Sequence, residues 1–403
     1  MTGHISGLDA RMVLDSRGQP TVEVDCFVDG ALSGRAIVPS GASTGAYEAL
    51  ELRDGDPSMY LGKGVSAAVN NVKDRIEQAL VGLPVDEQRI IDDAMIKLDG
   101  TPNKSELGAN AMLGASMACL HAGATLHELP LWKYIGGASG GLMPVPMLNI
   151  LNGGAHAASN VDVQEFMVMP HGFDTFQEGL RAGVETYHAL KAELKKDGLL
   201  GGVGDEGGFA PNLPANEDGL KYMVRAIEGA GYSTEEIGIA LDVASTEFLK
   251  DDGYHMDGKV LSSDDLVELY GGWLDRYPIL SIEDGFGEDD WRGWSSFTKA
   301  YGHRVQTVGD DLFVTQSERL SQGIELGAAN AMLVKVNQVG TVSETLEAMD
   351  LASTNGMNNV VSHRSGESED VTIADFAVGT RAGQIKTGAP ARSDRVAKYN
   401  QLL

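Results

Sequence analysis

The sequence predicts an α/β protein in which a closed β/α barrel follows a smaller N-terminal α+β cap domain. Two observations carry this prediction. Residues 20–38 alternate apolar and polar side chains around Asp29–Gly30, which is typical of a β-hairpin. From residue 147 onward, short apolar runs alternate with helical stretches, and this alternation favours a mostly parallel sheet. Eight such runs within about 250 residues match the size of a closed barrel.

The hairpin and two helical segments form the predicted first domain. Apolar residues recur with helical spacing at 66–80 and 105–128, so we expect helices there. The stretch GGASGGLMPVP, at 136–146, is rich in glycine and proline and is typical of a connection. We therefore predict a cap domain over 1–136 and a barrel domain over 137–403.

The apolar runs of the second domain are the predicted barrel strands. They lie at 147–151, 165–169, 238–244, 279–285, 305–313, 331–338, 359–366 and 384–388. The predicted helices between them include 174–196, 217–229, 264–276, 316–326 and 341–355. An open, doubly wound sheet is the alternative fold, but no glycine-rich phosphate-binding fingerprint follows the first run.

Charge and cysteine content exclude several classes of partner. The 403-residue chain has a formal net charge of −27, which argues against binding to nucleic acid or to an anionic membrane. Its two cysteines, Cys26 and Cys119, are far apart in the sequence, so we expect no disulfide framework and a reducing, cytoplasmic location. The first residues lack the apolar core of a signal peptide, and no run of about 18 apolar residues predicts a membrane span.

Charged residues lie at or near the ends of six successive barrel strands. They are Asp242, Glu283, Asp310, Lys335, Arg364 and Lys386. In a barrel these strand ends meet on the face that carries the active site. Neighbouring carboxylates repel one another unless a cation lies between them, and their oxygens suit Mg²⁺ better than Zn²⁺. We therefore predict a Mg²⁺ site at Asp242, Glu283 and Asp310.

The basic strand ends predict how a substrate is held and attacked. Arg364, with Ser365 beside it, can hold a phosphate through charge-assisted hydrogen bonds. Lys335 next to a metal ion is expected to have a lowered pKa, so that it can act as a base. This combination suggests removal of a proton from the carbon next to a carboxylate.

The stretch GVGDEGGFAPNL, at 202–213, places two acids among glycines. One interpretation is a solvated turn, since glycine, aspartate and proline favour turns. The other is a catalytic acid on a loop that closes over substrate. The charged strand ends favour the second, with Glu206 as the general acid that protonates a leaving group and Asp205 as a residue that caps or orients the loop.

Long motifs along the chain resemble those of the enolase family, the phosphopyruvate hydratases of glycolysis. They include LDSRGQPTVEV (14–24), VPSGASTGAYEALELRDGD (38–56), LNGGAHAASNVDVQEFM (151–167), GDDLFVTQ (309–316) and QIKTGAPARSDRVAKYNQL (384–402). The resemblance implies an enolase-type barrel whose first two strands are antiparallel. It also implies two Mg²⁺ ions per active site, the first at the three predicted carboxylates and the second arriving with substrate and held by Ser43.

The same resemblance implies the substrate and the roles of the side chains. The substrate is a small phosphorylated carboxylate, 2-phospho-D-glycerate, which is reversibly dehydrated to phosphoenolpyruvate. Lys335 is the base and Glu206 the acid, with Glu165 beside it as a third catalytic residue. The implied substrate-binding residues are His156, Gln164, His363, Arg364, Ser365 and Lys386. A homodimer or larger homo-oligomer is also implied, with Arg11 and Arg17 near the contact.

Two departures from the family pattern leave alternatives open. Ala158 stands where family members usually have an acid, and typical members continue beyond the YNQLL at the end of this sequence. The alternative enzyme is a paralogue that runs the same elimination on a phosphono or carboxyphosphono analogue in secondary metabolism. A non-catalytic scaffold on the same fold is a third possibility, but it has no need to retain the base, the acid and three carboxylates.

Overall fold

The first part of the chain is a three-stranded antiparallel sheet covered by helices. The computed structural model describes residues 3–41, 45–157 and 159–403. The sheet has the order β1 (Ile5–Leu14), β2 (Pro20–Val28) and β3 (Ala31–Ile37). Strands β2 and β3 are the predicted hairpin, and Asp29 and Gly30 turn between them with left-handed φ angles of 51° and 84°. Strand β1 was not among the predicted elements.

Five helices follow the sheet and pack on it or on one another. They are α1 (Ser66–Asn71), α2 (Glu77–Leu80), α3 (Gln88–Asp99), α4 (Ala109–Leu126) and α5 (Leu131–Gly136). A π-helical turn joins α1 to α2, so the prediction at 66–80 is confirmed as one continuous helical segment. Helix α4 confirms the prediction at 105–128, whereas α3 and α5 were not predicted.

Helix α4 packs so closely on the sheet that small residues are needed at the contact. A Cβ atom on Gly34 of β3 would lie 2.0 Å from the carbonyl oxygen of Ala118. Cys26 of β2 and Cys119 of α4 meet in the same layer as free, buried thiols whose Sγ atoms are 3.8 Å apart.

The second part of the chain forms the predicted closed barrel. The barrel strands in chain order are β4 (Val145–Asn152), β5 (Glu165–Pro170), β6 (Ile237–Asp242), β10 (Ile279–Glu283), β11 (Gln306–Gly309), β12 (Ala331–Val334), β13 (Asn358–Ser362) and β14 (Gly383–Lys386). Three short strands lie between β6 and β10, namely β7 (Leu249–Lys250), β8 (Gly253–Met256) and β9 (Lys259–Leu261). Strands β7 to β9 form a separate small sheet that was not predicted, and the other eight close the barrel. Strand β5 is antiparallel to both neighbours and all other pairs are parallel, which confirms the antiparallel start that the resemblance implied.

The barrel helices lie between these strands. They are α6 (Phe176–Lys196), α7 (Asn216–Gly229), α8 (Ser263–Leu274), α9 (Trp291–Tyr301), α10 (Ser317–Leu326), α11 (Val336–Val339), α12 (Val342–Thr354), α13 (Thr372–Gly379) and α14 (Ser393–Leu402). The five predicted barrel helices are confirmed, and α9, α11, α13 and α14 are additional. No helix of the described residues has the length and apolar character needed to cross a membrane.

Apolar side chains fill the barrel beneath its charged end. They come from different strands and include Met147, Met167, Ala240, Val308, Leu333 and Val360. The barrel is therefore a packed core, and the charged side chains described below lie at one of its ends. Helix α5 ends at Gly136 and β4 begins at Val145, so the predicted domain boundary at 136/137 falls in this connection and stays a prediction.

Candidate active site

Three carboxylates lie side by side at the charged end of the barrel. In the strand register Asp242 is opposite both Glu165 and Glu283. Asp242 and Glu283 are the last residues of β6 and β10, whereas Glu165 is the first residue of β5. Because β5 runs in the opposite direction, its first residue reaches the face where the parallel strands end. All three side chains are buried.

The ammonium group of Lys386 lies among these carboxylates. Its Nζ atom is 2.9 Å from Asp242 Oδ2, 2.9 Å from Glu283 Oε1 and 3.3 Å from Glu165 Oε1. Burial would lower the pKa of Lys386, but Asp242 and the other two carboxylates raise it well above its ordinary value. Lys386 therefore lies as a cation within the predicted metal site and also lines the cavity, while its substrate-binding role stays a prediction.

Asp310 is the third predicted metal ligand, and it is held apart from the other two. One oxygen pairs with the ammonium group of Lys335, and Oδ1 accepts a hydrogen bond of 2.8 Å from Gln338. Among the described residues, the possible metal-binding groups whose ligand atoms lie within 4.8 Å of one another are two other sets, His156 with Glu165 and Glu206, and Asp310 with Asp284 and Asp311. In that set Asp284 already accepts the backbone N–H groups of Asp310 and Asp311, at 2.9 Å each.

The donor set nevertheless fits a hard divalent cation. Asp242, Glu283 and Asp310 come from three adjacent strands of the barrel and offer only carboxylate oxygens. Glu283 Oε2 is buried and has no hydrogen-bond partner among the described residues. Burial, followed by the charge of Asp242, raises the pKa of Glu283 well above its ordinary value, so a nearby positive charge would stabilise its ionised form.

Lys335 follows β12 and faces Asp310. Its backbone N–H donates to Thr315 Oγ1 at 3.0 Å, which fixes the turn that presents the side chain. Burial would lower the pKa of Lys335, but the adjacent Asp310 outweighs burial and raises it. The lowered pKa predicted from the sequence depends on a bound cation, so it stays a prediction.

Within the 202–213 stretch, residues 206–209 form a buried turn that carries Glu206 into the site, while Val203 and Asn212 are exposed. Only 2% of Glu206 is exposed, which contradicts the solvated-turn interpretation for that side chain. Its Oε2 accepts a hydrogen bond of 2.9 Å from Asn149 Nδ2 and lies 3.1 Å from His363 Nε2. The backbone passes so close to β4 that a Cβ atom on Gly208 would be 2.3 Å from Asn152 Oδ1. The orienting role of Asp205 stays a prediction.

The pKa values of Glu165 and Glu206 are shifted in opposite directions although the two residues are neighbours. Burial and the nearby charge of Glu206 raise the pKa of Glu165 well above its ordinary value. Burial would also raise the pKa of Glu206, but His363 and His156 outweigh it and the pKa is lowered. His156 lies between them, with Nδ1 3.5 Å from Glu165 Oε1 and 3.8 Å from Glu206 Oε1. Glu165 therefore holds a proton more readily than Glu206.

Arg364 is paired with a residue that sequence reasoning missed. Its guanidinium group contacts both oxygens of Glu48, at 2.9 and 3.1 Å, and donates to Asn337 Oδ1 at 2.9 Å. Glu48 Oε1 also accepts the backbone N–H of Gly45 at 3.1 Å and the side-chain amide of Gln338 at 3.3 Å. Glu48 thus ties the first domain to the phosphate-binding candidate of the barrel.

The remaining predicted substrate residues line the same cavity. They are His156, Gln164, His363 and Ser365, and Gln164 Nε2 also donates to Asp242 Oδ2 at 3.3 Å. Ser43, the predicted ligand of a second ion, and Ala158 lie outside the described residues. Asn149 was also missed, although a polar residue within the apolar run 147–151 is a signal that could have revealed it.

Two family models match almost the whole chain. The model described as the enolase N-terminal domain matches residues 5–135, and the one described as the enolase C-terminal TIM barrel domain matches residues 141–403. Matches of this extent support a metal-binding enzyme, a lyase, that carries out an elimination on a small molecule. The family generally uses Mg²⁺, which agrees with the carboxylate donors of the site.

Proposed function

Because the chain belongs to the enolase family, we propose that it is a phosphopyruvate hydratase. It would catalyse the reversible, Mg²⁺-dependent dehydration of 2-phospho-D-glycerate to phosphoenolpyruvate. The observation that carries this proposal is that Lys335 and Glu206, from separate parts of the barrel wall, line one cavity together with Asp242, Asp310 and Arg364. A base and an acid facing a shared space are what removal of a proton and a hydroxyl from adjacent carbons requires.

The proposal assigns the metal ligands on this chain. Asp242, Glu283 and Asp310 would hold one Mg²⁺, and Ser43 would take part in holding the second one with substrate. When bound, the ions supply positive charge that stabilises negative charge on the substrate carboxylate as the proton leaves. Lys386, which now neutralises Asp242 and Glu283, would then be free to contact the anionic substrate.

Lys335 would remove the C2 proton. Its burial favours the neutral amine, whereas its contact with Asp310 favours the ammonium form. The neutral base therefore forms when the negative charge of Asp310 is paired with another cation instead of Lys335.

Glu206 would assist the loss of the C3 hydroxyl by donating a proton. The pKa of Glu206 is lowered, whereas that of the neighbouring Glu165 is raised, and His156 lies close to both carboxylates. We propose that Glu165 supplies the proton that Glu206 passes to the leaving group. This transfer has to take place before Glu206 can act as the acid, since an ionised carboxylate has no proton to donate.

Arg364, with Ser365 and His363, would bind the substrate phosphate, and Gln164 and His156 would complete the substrate contacts. Since Glu48 now occupies both arms of the Arg364 guanidinium group, the phosphate has to share or replace that carboxylate. We also propose a cytoplasmic enzyme of glycolysis, a homodimer or larger homo-oligomer, and no nucleic-acid partner, the last from the net charge of −27. The departure at Ala158 keeps a paralogue acting on a phosphono analogue as the second candidate.

Two measurements test the proposal. A coupled absorbance assay should detect phosphoenolpyruvate from 2-phosphoglycerate in the presence of Mg²⁺. A folded protein that turns over a phosphono analogue instead would favour the paralogue.

Proton NMR of substrate in heavy water then separates base from acid. Lys335→Ala should lose both net turnover and exchange of the C2 hydrogen. Glu206→Gln should lose net dehydration by a factor of roughly 10² or more, the usual scale for general acid–base catalysis, and keep measurable C2 exchange. Loss of exchange in Glu206→Gln but not in Lys335→Ala would mean that the two roles are reversed.

A further inference from the structure

The guanidinium group of Arg395, on helix α14, lies directly behind the candidate active site. The residue is completely buried, and its Nη1 donates to the carbonyl oxygen of Arg364 at 2.6 Å. Nη2 donates to the carbonyl oxygen of Ser365 at 2.7 Å and reaches that of Asp205 at 3.5 Å. Nη1 also contacts His363 Nδ1. One side chain therefore joins three consecutive residues of the barrel wall to the loop that carries the candidate acid.

The contact with His363 determines where the imidazole ring carries its hydrogen. Guanidinium nitrogens only donate hydrogen bonds, so the ring nitrogen that faces Arg395 has to accept. His363 Nδ1 is then unprotonated, and the ring hydrogen of the neutral imidazole is on Nε2. That nitrogen lies 3.1 Å from Glu206 Oε2, which is close enough for an ion pair, although the angle does not complete a hydrogen bond. Burial lowers the pKa of His363 to about 4, which agrees with a neutral ring at neutral pH.

We propose that Arg395 is a positioning residue, which holds His363 as the Nε2–H tautomer so that the ring N–H faces Glu206, and which fixes the carbonyl groups of Arg364 and Ser365. Only the description of Glu206 as the acid rests on the proposed function. The tautomer follows from the contacts of Arg395 alone.

The packing around Arg395 leaves its side chain little freedom. A Cβ atom on Gly388, which has a φ of +84°, would lie 2.8 Å from Arg395 Cδ. The stem of the arginine is thus confined by backbone on that side, while its Nη atoms donate to the carbonyl and imidazole acceptors and its Nε lies 2.8 Å from Asp394 Oδ2. An apolar side chain in the same place would fill the space but leave those buried acceptors without donors.

Helix α14 also provides a matched control. Lys398 is a second completely buried cation on this helix, and it contacts Glu367 Oε2 at 2.9 Å and the carbonyl oxygen of Ser368 at 2.6 Å. It holds the next residues of the same segment and makes no described contact with His363 or Glu206. Lys398→Met therefore removes a buried positive charge from the helix without removing a donor from the imidazole ring.

The test is two-bond ¹H–¹⁵N correlation NMR of the full-length protein labelled with ¹⁵N-histidine, without substrate. The His363 signals are identified by their loss in His363→Gln. In the parent protein Nδ1 should have the chemical shift of a fully unprotonated acceptor, and Nε2 that of a protonated nitrogen. In Arg395→Met both shifts should move toward values averaged over tautomers or toward the imidazolium values, whereas Lys398→Met should keep the parent values. Arg395→Lys, which retains a donor and a charge, should lie between the parent and Arg395→Met.

A parent spectrum with the hydrogen on Nδ1, or with averaged shifts, would overturn the proposal even if the Arg395 variants do not fold. Unchanged His363 shifts in a folded Arg395→Met protein would overturn it as well. Because the spectra are recorded without substrate, they are independent of turnover. A parent protein that shows the Nε2–H tautomer but fails to dehydrate 2-phosphoglycerate would refute the proposed function and leave the role of Arg395 intact.

Discussion

Replacement of Lys386 by methionine should remove a cation that competes with Mg²⁺ for the metal site, and it should destabilise the metal-free protein. The ammonium group lies within 3.3 Å of Glu165, Asp242 and Glu283, and all four side chains are buried. Removing one partner of a buried ion pair costs about 3–5 kcal/mol, because the remaining charge is left uncompensated. At about 2–4 °C per kcal/mol for a domain of this size, the melting temperature should fall by about 6–20 °C.

Mg²⁺ should stabilise the Lys386→Met variant by more than it stabilises the parent protein. In the parent, Mg²⁺ has to compete with the ammonium group for Asp242 and Glu283, whereas in Lys386→Met it does not. A tenfold lower dissociation constant corresponds to about 1.4 kcal/mol of additional stabilisation at a fixed, high Mg²⁺ concentration. We therefore expect at least that gain in the variant relative to the parent.

The assay is differential scanning calorimetry of parent and variant, each in EDTA and in excess Mg²⁺. Lys398→Met is the control, because it removes a buried ammonium group that pairs with one carboxylate, Glu367, outside the cavity. Its loss of stability should be the same with and without Mg²⁺. If Mg²⁺ stabilises Lys386→Met no more than the parent, the carboxylates around Lys386 do not bind the ion and our reasoning about the site is wrong.

Three further predictions concern the metal ligands, a buried acid and the proposed assembly. Asp242→Ala or Glu283→Ala should abolish turnover and weaken Mg²⁺ binding in calorimetric titrations, since each removes a ligand; unchanged affinity in both would contradict the assignment. Burial and the charge of Asp310 raise the pKa of Asp311 to about 8, so between its ordinary value of 3.8 and that value the folded protein holds a proton that the unfolded chain releases. This group therefore makes the fold less stable as pH rises through that range. Asp311→Asn should remove this pH dependence of the free energy of unfolding, measured with urea in the presence of EDTA. An equal gain in stability at both ends of the range would count against the assignment. Light scattering at micromolar concentration should show a dimer or larger species, and a monomer would refute the predicted assembly.

The barrel and part of its site could be predicted from the sequence because strand ends are local signals. Asp242 and Glu283 each end an apolar run, and parallel pairing brings such ends together. Glu165 gave no such signal, because it begins its strand and reaches the site only through the reversal of β5. Its role came from the resemblance to a known family.

Contacts between distant parts of the chain could not be predicted in this way. Glu48 pairs with Arg364 across 316 residues of sequence, and periodicity carries no information about such a pair. Cys26 and Cys119 are equally instructive, since their wide separation in sequence gave no sign that their sulfur atoms lie 3.8 Å apart. The contacts of Lys386 with three acids were missed because each residue was assigned a separate role.

The reversal of β5 changes how the chain visits the two ends of the barrel. In a regular barrel each strand runs toward the catalytic face and each helix returns, whereas here β5 itself returns and ends beside the start of β6, with Pro170 paired with Ile237. Helix α6 then runs back toward the catalytic face: its start lies against the end of β5, where a Cβ on Gly179 would be 3.2 Å from the carbonyl oxygen of Pro170. Farther along it, the hydroxyl group of Tyr187 donates to the carbonyl oxygen of Gly207.

The DEGG turn is therefore the connection at the top of a helical hairpin, between α6 and α7, that is inserted where β5 could have passed directly into β6. Because β5 already returns the chain to the level at which β6 starts, an inserted segment has to run to the catalytic face and back, and two helices do so. Their connection is an additional loop at the catalytic face. The inverted strand and the helical hairpin that follows it thus supply the two glutamates proposed to share a proton.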